Sequence, residues 1–154
     1  MSELKGTLQA DLTAATKAND AVVKGTLRMA LAAITNEEVS GKEARELSDA
    51  EVIVVLSKEA KKRRESIEAF TAANRQDLAD TEAAELAVLE KYLPAQLSDA
   101  EVEDIIAKAV AEVSATGAEG MKAMGGVMKI VTPQVTGRAD GGQVAAAVKK
   151  ALGA

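Results

Sequence analysis

Ser48-Asp49-Ala50-Glu51-Val52-Ile53-Val54-Val55-Leu56-Ser57-Lys58-Glu59-Ala60-Lys61-Lys62-Arg63 is the stretch on which the reading of the fold turns. Ser48 followed three residues later by Glu51 is a capping box, a reciprocal pair of side chain–backbone bonds that opens a helix. Beyond it, Val52, Leu56, Ala60, Ile67 and Phe70 fall at helical intervals, so they share one face. The spacing predicts a long helix over residues 49–73. Stepping along it also puts Arg63 on the apolar stripe. A guanidinium there needs an internal acceptor, because an unpaired buried charge is costly. Arg63 is therefore expected to be a buried ion-pair residue or a ligand contact in a cleft.

The same signals recur on either side. Leu4, Leu8, Leu12 and Ala15 predict a first helix over residues 2–18, broken at Asn19-Asp20. Asp20 is a good N-cap for a second helix over 21–38, with Val23, Leu27, Ala30, Leu31 and Ile34 on one face. A fourth helix over 77–92 shows Ala79, Leu86, Leu89 and Leu93 on one side and ends at Pro94, since the residue before a proline is pushed out of helical geometry. A second capping box, Ser98-Asp99-Ala100-Glu101, opens a helix with Val102, Ile105, Ile106, Ala109, Val110 and Val113. Thr116-Gly117-Ala118-Glu119-Gly120 ends it. Met121, Met124, Met128 and Val131 then predict a short helix filled by methionine core side chains and stopped near Thr132-Pro133. Asp140 caps a last helix over 142–152, which Gly153 terminates. The expectation is all-α, with an N-terminal four-helix domain over residues 1–93 and a C-terminal three-helix domain over 98–154.

Composition agrees and excludes much. The chain has 154 residues and 47% hydrophobic content, of which 32 residues are Ala, a strong helix former that lets helix axes approach. There is no His, Cys or Trp, and a single Phe and Tyr. Disulfides, thiolate zinc sites, thiol nucleophiles and imidazole acid–base chemistry are thereby excluded. Two aromatics are too few for a base-stacking platform on single-stranded nucleic acid. No run of 18 apolar residues exists, so no transmembrane helix is expected. No secretory signal is visible at Met1-Ser2-Glu3-Leu4-Lys5, and the expected location is the cytoplasm.

Few motifs nominate chemistry. The glycines of 120–126 do not make a phosphate loop, because Gly126 stands where that pattern needs Lys. Glu82, Glu85, Glu90, Asp99, Glu103 and Asp104 show no spacing that singles out a pair, and di-metal bundles use Glu-x-x-His. No catalytic residue, metal or cofactor is expected. Lys61, Lys62, Arg63 and Arg64 form the most basic local cluster, with Lys61–Glu65 and Arg64–Glu68 able to pair along the helix. They mark a solvated face with one core Arg, or a cleft or docking surface.

Charge distribution says more than the net −5. Residues 93–120 carry one Lys against six acids, whereas residues 121–154 carry Lys122, Lys129, Arg138, Lys149 and Lys150 against Asp140 alone. Cations on a rigid surface suit phosphate-backbone binding to a folded RNA, which needs no stacking aromatics. Lys149 and Lys150 also complement the dipole at a helix C-terminus.

Lys61-Lys62-Arg63-Arg64-Glu65-Ser66-Ile67, Glu90-Lys91-Tyr92-Leu93-Pro94-Ala95-Gln96-Leu97-Ser98, and Met124-Gly125-Gly126-Val127-Met128 followed by Gly137-Arg138-Ala139-Asp140-Gly141 together resemble bacterial YqeY-like proteins of the GatB/YqeY group. The similarity covers essentially the whole chain. It implies two helical domains, the second similar to the tail of GatB, the subunit of tRNA-dependent amidotransferase whose catalytic cradle has no counterpart here. It implies tRNA or a tRNA-processing enzyme as partner, with the contact carried onto Lys122, Lys129, Arg138, Lys149 and Lys150. It departs at Gly126, where relatives commonly carry a bulkier residue; a second glycine weakens the helix by about 1 kcal/mol relative to Ala. The expected function is a non-catalytic tRNA-binding or amidotransferase-associated module. The alternatives are a carbon–nitrogen ligase with glutamine as amide donor and a helical protein–protein adaptor.

Overall fold

A computed structural model describes residues 1–153. Seven α-helices and one short 3-10 turn follow one another, and no strand occurs among the described residues: α1 (Glu3–Lys17), α2 (Ala21–Glu38), α3 (Asp49–Ala72), α4 (Gln76–Glu90), α5 (Asp99–Ser114), the 3-10 turn (Gly120–Ala123), α6 (Met124–Val135) and α7 (Gly141–Ala151). The chain divides into two compact units, Met1–Leu93 and Pro94–Ala154.

Local chemistry sets most helix starts. Both capping boxes close, Ser48 with Glu51 and Ser98 with Glu101. Asp20 accepts from the Val23 N–H and Asp140 from the Gln143 N–H, satisfying amide donors that a helix start leaves open. Asn19 turns the chain between α1 and α2 at φ +55°, a left-handed conformation that Asn tolerates.

The first unit packs two helical hairpins, α1–α2 and α3–α4, around Leu8, Leu27, Ile34, Leu56 and Leu89, with Leu47 of the α2–α3 loop beside them. Val52, Leu56 and Ala60 form the expected α3 stripe, and it does run into Arg63. Lys5 meets Glu38 at 2.6 Å, fastening α1 to the end of α2. That hydrogen bond holds the Glu38 carboxyl below the usual carboxylate range.

In the second unit, Ile106 and Ala109 of α5 pack with Val127, Val131, Val144 and Val148 of α6 and α7. Here two expectations fail. The buried row is Ala123, Val127, Val131 and Val135, which keeps Val131 of the expected row; Met124 and Met128 are part-buried against it, and Met121 is 56% exposed. Compact β-branched valines fill the narrow space between short helices, and the longer methionines are left flanking it. Nor does α6 stop at Thr132-Pro133; it continues through Val135 with Pro133 inside its last turn. Burial of Val135 and the bonds from Thr136 N–H and Oγ1 to the Thr132 carbonyl, at 3.1 and 2.7 Å, hold this last turn closed although Pro133 has no N–H to give.

Candidate functional site

The basic run of α3 is stitched into the first unit. Arg63 is 6% exposed. Its Nη1 donates to the Glu59 carbonyl at 3.2 Å and to Glu59 Oε2 at 3.3 Å. Its Nε approaches Glu85 Oε2 at 3.3 Å without hydrogen-bond alignment, and its Nη2 meets the Met29 sulfur at 3.8 Å. The demand for an internal acceptor is thus met by the carbonyl and carboxylate of Glu59, one turn earlier on α3, while the Glu85 carboxylate of α4 adds its charge beside Nε. Lys62 pairs with Glu59 at 2.9 Å. Arg64 reaches across to Glu90 of α4 at 3.4 Å rather than along α3 to Glu68. Lys61 is exposed. Arg63 and Arg64 therefore bind α3 to α4.

Beside this cluster, Ala21, Val22 and Gly25 of α2 face Asp80, Ala84 and Glu85 of α4 across a groove of about 440 Å³. Small side chains leave a hollow between the helices there. Glu85 belongs both to the groove wall and to the Arg63 cluster. Neither the groove nor the role of Glu85 was visible in the sequence. Glu59 had a signal, standing four residues before an Arg on an apolar stripe.

In the second unit the cations differ in kind. Lys122, Lys129, Lys149 and Lys150 are exposed and make no salt bridge among the described residues. Lys122 stands in the 3-10 turn and Lys129 on the exposed side of α6; Lys149 and Lys150 occupy the last turn of α7. Arg138 is instead committed to the main chain. Its Nε donates to the Ala95 carbonyl at 3.2 Å and its Nη1 to the Gln134 carbonyl at 3.4 Å.

Around Arg138 two distant segments are laced together. The Leu97 N–H donates to the Arg138 carbonyl at 2.8 Å, and Gln96 Nε2 to the Gly137 carbonyl at 2.9 Å. Gly137 is buried with φ +76°, a left-handed turn that glycine adopts without penalty. The Pro94–Leu97 segment and the turn before α7 thus form one hydrogen-bonded unit. On the other side of Leu93, the Tyr92 hydroxyl donates to Asp11 of α1 at 2.6 Å.

These are the segments that carried the resemblance, and comparison with known proteins agrees. The profile of a family described as "Yqey-like protein" matches residues 5–152. The chain belongs to the YqeY-like family. Among curated relatives, the Candida glabrata protein "Altered inheritance of mitochondria protein 41, mitochondrial" is 34% identical over 104 residues, 68% of this chain and 57% of that protein. The proteins of the same name from Meyerozyma guilliermondii and Pyrenophora tritici-repentis are 32% and 30% identical, covering 85% and 96% of this chain and 75% and 80% of their own lengths. The chain thus spans little more than half of the Candida glabrata relative. Those YqeY-like relatives are mitochondrial by name, a compartment that the expectation of a cytoplasmic protein did not include. No helix among the described residues is long and apolar enough to cross a membrane, and no group of three metal-ligating side chains is assembled among them.

Proposed function

We propose that this YqeY-like protein is a non-catalytic RNA-binding module whose second unit engages the phosphate backbone of tRNA, alone or beside a tRNA-processing enzyme, as the tail of GatB does. The observation that carries the reading is the set of four exposed lysines, Lys122, Lys129, Lys149 and Lys150, that make no salt bridge among the described residues. A cation already paired gains little from a phosphate, whereas an unpaired one releases counterions from the nucleic acid. In this reading Arg138 positions the framework rather than touching RNA, and the protein works in the cytoplasm, while its named fungal relatives are mitochondrial.

Filter binding of the full chain to total tRNA tests this. Four neutralised phosphates predict a roughly 100-fold loss of affinity between about 50 and about 200 mM salt, and a shallower slope when Lys122 and Lys129 become Ala. Absence of binding at low salt, or a slope unchanged by the substitutions, would remove the proposal. Amidated product from glutamine, ATP and misacylated tRNA would replace it with the carbon–nitrogen ligase reading.

A further inference from the structure

We propose that the groove between α2 and α4 in the first unit is a docking site for a partner protein that inserts one arginine or lysine side chain. The hollow is built in. A Cβ at Gly25 would meet no atom within 4 Å, yet this helix position keeps a residue that weakens helices. Beside it Val22 is 47% exposed, and one turn further on Met29 is 43% exposed. This is hydrocarbon surface left uncovered.

The charge of the walls selects the occupant. Helix α4 carries Asp77, Asp80, Glu82, Glu85 and Glu90 and no Lys or Arg. Asp77 and Glu90 are taken by Arg75 and Arg64. Asp80, at the groove, accepts from the Gln76 amide and has no cation partner among the described residues. Glu85 approaches Arg63 Nε out of hydrogen-bond alignment, so its carboxylate retains acceptor capacity. Lys24 and Arg28 of α2 make no salt bridge among the described residues, leaving the acids of the groove to an outside cation.

Size decides how much of the partner enters. From Asp80 to Glu85 the helix rises about 7.5 Å, a length suited to one extended basic side chain and too short for the face of a helix. Its aliphatic stem would lie over Val22, Gly25 and Ala84, and its head group would reach Asp80, the groove carboxylate without a cation partner among the described residues. Long basic side chains partition in this way, and the charge-assisted bonds at the head are the strong ones. A buried arginine anchor of this kind is a frequent energetic centre of protein interfaces.

The test is a titration of the 15N-labelled full chain with the blocked peptide acetyl-Ala-Arg-Ala-Ala-amide, followed by amide chemical shifts. The norleucine peptide, which keeps the stem and loses the charge, is the control. Saturable shifts confined to residues 21–29 and 80–85, with at least about fivefold weaker binding of the norleucine peptide, are expected. The Gly25→Leu variant fills the hollow and should abolish them; Asp80→Asn, on the surface, should weaken them and serves if Gly25→Leu unfolds. Shifts that fail to saturate, that spread over both units, that survive Gly25→Leu in a folded chain, or that norleucine reproduces would overturn the assignment. The double change of Lys122 and Lys129 to Ala should leave the titration unaltered, which keeps its outcome separate from RNA binding.

Discussion

The hydroxyl of Tyr92 donates to the carboxylate of Asp11 at 2.6 Å, joining the first helix to the residue that follows the fourth across 81 positions of sequence. Burial, reinforced by the bond to Asp11, pushes the Tyr92 pKa upward, because both disfavour a second negative charge beside the first.

Tyr92→Phe keeps the ring and removes this bond, and should lower stability by about 1–2 kcal/mol in urea unfolding. The pH dependence follows from the direction of the shift. In the unfolded chain the tyrosine ionises near about pH 10, whereas the folded chain keeps its proton to higher pH. The unfolded state then binds fewer protons, so the contribution of Tyr92 is complete below about pH 10 and declines above it. The gap in stability between the native chain and Tyr92→Phe should stay constant up to about pH 10 and narrow above it; a gap that stays constant above about pH 10 would contradict the assignment.

Arg63→Ala strands the half-buried Glu85, leaves Glu59 to Lys62 alone, and also deletes a packed stem. A loss of about 3 kcal/mol is expected, read as a shifted urea midpoint. Arg63→Met should cost less, because it retains the stem's volume against the α3 stripe. Equal losses from the two variants would mean that charge pairing matters more than packing at this position.

The two glycines Gly125 and Gly137 should respond oppositely to alanine. Gly125 lies in α6 with nothing within 4 Å of a Cβ, so Gly125→Ala should raise stability by about 1 kcal/mol. Gly137 holds φ +76°, and Gly137→Ala should lower stability by at least about 1 kcal/mol and loosen the turn before α7. Thermal melts of the full chain separate the two.

Arg138→Ala and Lys129→Ala should divide stability from binding. Removal of the bonds to the Ala95 and Gln134 carbonyls should destabilise the second unit by about 1 kcal/mol. Lys129→Ala should leave the melting temperature unchanged and reduce the salt slope of tRNA binding by about 1. A stability loss from Lys129→Ala, with no change in slope, would mean that this lysine packs rather than binds.

What the sequence revealed tracks how local each interaction is. Asp20, Ser48, Ser98 and Asp140 bond within three residues, so the helix starts are written in tetrapeptides. The placement of Arg63 on the α3 stripe follows from period alone. Its partner Glu85 lies on another helix, and its significance depends on how α3 and α4 pair. The methionine row of α6 misled in part because Met128 stands next to Val127 in sequence, and which of these neighbours is fully buried is settled by packing against α5 and α7. Pro133 misled because a local breaker was outweighed by burial of Val135. Arg138 reads as an RNA contact from charge alone; its bond to the Ala95 carbonyl, 43 residues away in sequence, lies beyond any local pattern. The groove has no sequence signature, since two small-residue positions on separate helices acquire meaning only when opposed.

The lacing of Leu97 to Arg138 bears on the kinetics of amide hydrogen exchange. A segment without helix ordinarily trades its protons with solvent quickly. The Leu97 amide, held at 2.8 Å by a carbonyl more than forty residues downstream, should exchange only when the turn before α7 lets go. Its protection factor would therefore approach those of the α6 and α7 core amides, and the rate at one loop residue would report the opening of the whole C-terminal half.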